Sequence, residues 1–180
     1  GGGSIVTLAG KSIQVGPESA GAVPGPVCYD LGSSQPTVTD ANAVLGLLSP
    51  DNFLGGKRQI NVESARQSIF ETVAGPLGLE ADEAALQIRS ALAQGLAGAI
   101  RTEAEKRSFS LDGAVMFAYG GGGPVHAADI ATAAGIKVFY VFPESAVFSA
   151  AGSSSMDVQH FYERRVQPGN GESQRQALER

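Results

Sequence analysis

Phe117-Ala118-Tyr119-Gly120-Gly121-Gly122-Gly123-Pro124-Val125-His126-Ala127 is the stretch whose reading decides the fold of this 180-residue chain. An apolar run from Gly113 to Tyr119 ends in four consecutive glycines, and Pro124 then opens an alanine-rich segment that closes at Gly135. The pattern predicts strand, tight turn and helix. Glycine lets a backbone take positive φ and approach a ligand closely. Pro124 suits a first helical turn, where its missing N–H costs nothing. The N-terminus of such a helix offers free N–H groups and a partial positive charge, which favour anionic or polar ligand groups. Two readings stay open at this point, a nucleotide-binding turn and a plain tight connection. The spacing is neither Gly-x-Gly-x-x-Gly nor a phosphate loop ending in Gly-Lys-Ser/Thr.

Working outward, Ile136 to Phe142 is the next strand, ended by Pro143. Strand, helix and strand joined by short connections imply parallel pairing, with ligands expected at the carboxyl ends of the strands. Upstream, a segment from about Ala81 to Lys106 places Ala85, Ile88, Leu92, Leu96 and Ala99 on one stripe. Gly95 and Gly98 fall inside it, which a closely packed neighbouring backbone would explain. An earlier helix, capped by Asn61, carries Val62, Ala65, Ile69 and Val73 and stops at Gly75-Pro76. Before it, Thr37 to Leu48 reads as a short helix capped by Thr39 or Asp40 and ending near Ser49-Pro50. Asp40 is either a ligand for a metal or substrate or, more simply, a first-turn carboxylate. At the start, Ser4 to Ala9 and Ser12 to Val15 read as a hairpin turning at Gly10-Lys11, followed by an ordered proline- and glycine-rich loop to Tyr29. The class is α/β.

Composition narrows the function. Thirteen basic and 18 acidic residues give a net charge of −5 with no basic cluster, which argues against nucleic acid and anionic membrane surfaces as partners. The single Cys28 rules out an internal disulfide framework and fits a reducing cytoplasm. No apolar run approaches the length of a membrane span. The two histidines, His126 and His160, belong to no cluster with metal-ligand spacing, and no catalytic triad pattern occurs. His126 falls in the first turn of the predicted helix, either orienting a ligand or bonding at the helix end. His160 reads as structural, and the polar segment from Gln167 as a tail or linker.

Several motifs together resemble a known family. Gly1-Gly2-Gly3-Ser4-Ile5, the stretches Val15 to Ala22 and Pro24 to Tyr29, Pro36 to Asn42, Leu45-Gly46, Phe53 to Gly56, Phe117 to Ala127 and Phe148 to Gly152 occur in the order seen in the hydantoinase A/5-oxoprolinase family. The resemblance covers residues 1–165 and leaves 166–180 as the tail or linker.

It implies part of an actin-like ATPase fold of the sugar kinase and chaperone ATPase superfamily. It also implies an ATP- and Mg-dependent enzyme that phosphorylates a carbonyl or amide oxygen, either to open a cyclic amide or to carboxylate a ketone. By the same resemblance Gly120, Gly121, Gly122, Gly123 and Pro124 match the adenosine-side motif. Gly1, Gly2, Gly3 and Ser4 match a glycine segment following the second phosphate motif. The Asp-x-Gly-Gly-Thr phosphate loops of the family are not in this sequence. The expectation is therefore a chain that starts within a longer protein, is inactive alone, and carries neither catalytic residues nor metal ligands of its own. The remainder of the ATPase subunit and a hydantoinase B-type subunit are its implied partners. Met156-Asp157 after Ser153-Ser154-Ser155 leans toward ketone carboxylases. The rival expectations are a non-catalytic assembly domain of the same fold and a stand-alone hydrolase. The lack of a triad or metal cluster argues against the hydrolase.

Overall fold

In the computed structural model, which describes residues 2–162, the chain opens with an antiparallel hairpin. Ser4–Ala9 (β1) pairs with Ser12–Ser19 (β2), with Ala9 opposite Ser12 and Val6 opposite Val15. A 3₁₀ turn, Val27–Tyr29, leads to the helix Val38–Val44 (α1). Val62–Ile69 (α2) continues through one π-helical segment, Phe70–Ala74, into Gly75–Leu77 (α3). Ala81–Lys106 (α4), Val115–Ala118 (β3), Gly123–Ala134 (α5), Val138–Val141 (β4) and Phe148–Ser154 (α6) complete the order. One packing unit ends at Phe148 and a second begins at Ser149. In the second, the described residues beyond α6 are exposed and irregular, His160 among them. The tail from Gln167 lies outside the described residues.

The 26 residues of α4 span about 39 Å at 1.5 Å per residue, enough to serve two cores in turn. Its first half puts Ala81, Ala84, Ala85 and Ile88 into the larger core with Val6, Cys28, Ala41, Ile69 and Val73. Its second half brings Ala97 against Ala131, Ala134 and Ile136. The expected stripe is correct at Ala85 and Ile88 but not beyond. Leu96 and Ala99 are exposed, and Ala93 and Ala97 are buried in their place. The second half of α4 serves the other core, and its buried residues Ala93 and Ala97 lie about 140–180° around the helix from Ile88. Nor is there a close backbone at Gly95 or Gly98, where an added Cβ would meet nothing within 4 Å.

Several boundaries also move. The cap of α1 is Thr37, whose side chain accepts from Asp40 N while Asp40 reaches back to Thr37 N. This capping box satisfies the N–H groups of Thr37 and Asp40. The helix stops at Leu45 rather than near Pro50, because Gly46 turns left-handed at φ 70° and Leu47 N bonds Asn42 O at 2.9 Å. Gly75-Pro76 does not stop the second helix. Pro76 sits in the first turn of α3, and the stop is Gly78 at φ 69°.

β3 and β4 pair in parallel, Val115 with Val138 through Ala118 with Val141, as the strand–helix–strand pattern predicts. Among the described residues neither strand has a second neighbour. Val115, Phe117, Phe139, Tyr140 and Val141 are exposed.

Candidate functional site

The four glycines follow β3 directly, and one of them uses the left-handed region. Gly120 takes φ 87°, which turns the chain off the strand. The turn is held from the side by Ser145, a buried residue the sequence does not single out. Ser145 Oγ donates to Ala118 O (3.0 Å) and accepts from Phe142 N (2.8 Å). Its carbonyl accepts from Gly120 N at 2.7 Å. Both strand ends and the turn are thereby tied to one residue. Gly122 then caps α5 at φ −103°, and Gly123 and Pro124 form the first turn. At the far end, Gly135 adopts φ 78° and Ile136 N bonds Ala131 O, a left-handed helix stop.

Gly121 and Gly122 form one wall of a cleft of about 320 Å³. Gly2 and Gly3 form another, although more than a hundred residues separate the two glycine segments. A Cβ on Gly122 would lie 3.9 Å from Gly2 N. Gly2 is in turn fixed on α1: its carbonyl accepts from Thr39 N at 2.9 Å, and a Cβ there would come within 2.3 Å of Thr39 Oγ1. The apolar side chains of Pro26, Tyr29, Leu48, Phe53 and Leu54 also line it. Tyr29 and Phe53 pack ring to ring at 5.5 Å, and the Arg58 guanidinium lies 4.9 Å from the Tyr29 ring centre. One face thus suits a flat apolar group, and the other lets polar groups come close to backbone.

His126 lines this cleft and is buried. Its Nε2 lies 3.2 Å from Asn42 Nδ2, and Nδ1 has no partner among the described residues. Asn42 Oδ1 accepts from Arg89 Nη1 at 2.6 Å. Arg89 also donates to Val125 O at 3.1 Å and pairs with Asp129. Burial lowers the His126 pKa first, the Arg89 charge lowers it further, and Asp129 opposes both. The ring is held neutral.

Not all of the sequence-predicted residues meet in the cleft, and Gly120 and Pro124 do not line it. Gly2, Gly3, Gly121, Gly122 and His126 come together in the cleft. Gly123 instead borders an apolar groove with Leu96, Phe117, Tyr119 and Ile130, while Ser4 opens β1 opposite Ser19. Gly1 lies outside the described residues. Asp40 stands apart. Its fully buried carboxylate accepts from Cys28 N (2.7 Å), Thr37 N (2.7 Å), Thr37 Oγ1 (2.8 Å) and Val27 N (3.2 Å). Four donors surround the fully buried carboxylate, which fastens the 3₁₀ turn to α1 and does not line the cleft. Asn42 and Arg89 are the residues that sequence reasoning misses as part of the site. Arg89 directly follows the buried Ile88, and that is the only signal it gives.

No Asp or Glu lines the cleft, and among the described residues no three His, Cys, Asp or Glu side chains gather as a metal site. Parallel strands, a glycine turn and a helix N-terminus bordering a mixed cleft define an α/β domain suited to binding. A family model described as "Hydantoinase/oxoprolinase" matches residues 1–161. The chain belongs to the hydantoinase/oxoprolinase family. It is 47% identical to the acetophenone carboxylase gamma subunit of Aromatoleum aromaticum, over 91% of this chain and 22% of that one. It is 35% identical to the caprolactamase subunit alpha of Pseudomonas jessenii, over 89% and 23%. Among solved structures, nucleotide-free acetone carboxylase superposes with a TM-score of 0.78 at 34% identity, over 87% of this chain and 22% of that one. The chain therefore spans about a fifth of the length of these relatives. Among the described residues no helix is long and apolar enough to cross a membrane.

Proposed function

We propose that this chain supplies the adenosine side of a nucleotide site in an ATP-dependent cytoplasmic enzyme subunit with an actin-like fold. Residues 1–165 would form the C-terminal part of its ATPase domain. The carrying observation is the cleft itself, lined in part by Gly121, Gly122, Gly2 and Gly3, where the lack of side chains lets a ligand come close to backbone. A base and ribose fit between the glycine wall and the apolar side of Tyr29 and Phe53. The N-terminus of α5 favours the oxygens beyond them. In the intact subunit the terminal phosphoryl of ATP passes to a carbonyl or amide oxygen of the substrate, with ADP as the leaving product. The 47% identity to an acetophenone carboxylase subunit supports a ketone as that substrate.

Magnesium does not fit the residues present. The cleft has no carboxylate, and Asp40 is fully buried away from it. The metal and the phosphate loops belong to the remainder of the subunit, and a hydantoinase B-type subunit completes the assembly. The carboxylate-free cleft also favours a second reading, an assembly domain without catalysis. Gly122→Val in the intact subunit separates the two. Gly122 already has φ −103° and space at Cβ, so valine intrudes on the cleft without straining the backbone. ATP affinity is expected to fall by about tenfold or more, the equivalent of one or two kcal/mol of lost contact. An unchanged affinity by calorimetry sinks the adenosine assignment and leaves the assembly reading.

A further inference from the structure

Among the described residues, Asp30, Leu54 and Ser108 are the non-glycine residues with positive φ, at 54°, 53° and 52°. Two of them end helices. Asp30 closes the 3₁₀ turn with its N–H on Val27 O at 3.0 Å, and Ser108 follows α4 with its N–H on Glu105 O at 3.0 Å. Helix ends commonly close in this way. Leu54 lies in no helix. It is the third residue of the turn 52–55, which Gly55 N closes on Asn52 O at 3.1 Å. Glycine or asparagine meets positive φ there without strain, and a bulky aliphatic side chain is an outlier. The strain brings no packing. Within the described residues Leu54 packs against neither core, while its neighbour Phe53 packs against the larger one. Of the apolar side chains lining the cleft, Pro26 is buried and Tyr29, Leu48, Phe53 and Val125 are half-buried. Leu54 alone is exposed, at 63%. A strained leucine with most of its surface uncovered therefore stands at the same cleft that the two glycine segments border. Strain of this kind clusters at ligand sites, where the placing of a side chain outweighs its local cost.

We propose that Leu54 is a specificity-determining residue of this cleft, packing against the flat apolar face of the nucleotide base. The ligand class rests on the nucleotide reading given above. The left-handed turn holds the side chain at the cleft before the ligand arrives, so little order is lost when the base covers it. The contact rewards ligands that carry a flat apolar group and gives nothing to a phosphate chain. Covering about half of a leucine side chain is worth about fivefold in affinity.

The test uses the full-length subunit containing this chain, with ATP and adenosine binding measured by calorimetry. Leu54→Asn keeps the branch at Cγ, tolerates the left-handed turn and removes the apolar surface. Leu54→Ala removes the same surface without adding a polar group. Both should weaken ATP and adenosine by the same factor, about fivefold. Leu54→Met, apolar and of similar volume, should bind both within about twofold of wild type. A second readout separates this contact from a loop-holding role. In ligand-free Leu54→Asn, hydrogen exchange over residues 50–58 should be no faster than in wild type, because the turn is relieved of strain. Faster exchange together with weaker binding would show that Leu54 only holds the loop, and overturns the proposal. ATP affinity within about twofold of wild type in either the asparagine or the alanine variant overturns it too. So does a loss for ATP that adenosine does not share. If the Leu54 variants bind normally while Gly122→Val weakens ATP, only the Leu54 contact falls. If they weaken adenosine while Gly122→Val binds normally, the contact stands and the glycine assignment fails. A wild-type subunit that binds neither ATP nor adenosine ends the nucleotide reading and the contact with it.

Discussion

Replacing Asp40 with asparagine keeps the side-chain volume but turns one carboxylate oxygen into a donor among donors. One oxygen accepts from Cys28 N, and the other accepts from Thr37 N, Thr37 Oγ1 and Val27 N. The better orientation of the new amide therefore keeps its oxygen on the second set and sets its NH₂ against Cys28 N. That leaves the Cys28 amide, bonded at 2.7 Å in the wild type, without a partner, at a cost of about 1–3 kcal/mol for a buried group. The remaining bonds lose their charge assistance, roughly halving each. Relief from burying a charge offsets part of this. The net destabilisation is about 3 kcal/mol, localised where residues 26–29 meet α1. Hydrogen exchange read by mass spectrometry on the intact subunit suits the case, because it resolves local opening without requiring the whole protein to unfold in one step. Peptides covering residues 26–40 should exchange about a hundredfold faster, the factor equivalent to some 3 kcal/mol. Exchange within threefold of wild type would refute the placing of Asp40 as the fastener of this region.

Three shorter expectations come from the same structure. Because burial and Arg89 hold the His126 pKa below its ordinary value, its contribution to stability is complete above about pH 6.5 and fades as pH falls through the folded value, by at most about 1.4 kcal/mol per pH unit. Urea unfolding at a series of pH values should show this loss, and His126→Gln should flatten it; equal slopes in both proteins would contradict the burial of a neutral ring. Burial and the neighbouring Asp40 charge raise the Cys28 thiol pKa well above the ordinary range, so iodoacetamide at pH 8 should modify Cys28 in urea but not in the native subunit. Labelling at the rate of a free thiol would show that the region opens in solution. Arg66 and Asp82 bridge α2 and α4 at the surface, where the pair is worth at most about 1 kcal/mol. Arg66→Ala should accordingly shift local exchange less than tenfold, and a larger effect would mean the pair is screened from solvent.

Local chemistry carried most of the secondary structure. Asn61 caps α2, Gly135 closes α5, and the run from Ala81 to Lys106 is one helix because nothing within it breaks the ladder. Helix ends were harder to place where two stop signals compete. Pro50 and Pro76 are conspicuous, yet Gly46 and Gly78 decide the ends, since a left-handed residue closes a helix wherever the chain first finds one. The parallel pairing followed from the length of the connection. The cleft was legible only in its glycines. Its polar core joins Asn42, Arg89 and His126 across separations of 47 and 84 residues, and such contacts leave no periodicity in a sequence. Asp40 shows the same limit from the other side. Its place in a capping box is local and readable, but two of its four donors come from a turn twelve and thirteen residues upstream.

The pairing of β3 with β4 also decides how this stretch of chain behaves when it is produced by itself. Two parallel strands with aromatic side chains in the open and, among the described residues, no strand neighbour on either outer edge are a template for further strands. Natural edges are guarded by charge, proline or a bulge, and the strands themselves, Val115–Ala118 and Val138–Val141, contain no such guard. Expressed in isolation, the segment is expected to stack edge to edge and leave solution as concentration rises. A lysine at Phe117 or Tyr140 should hold it in solution.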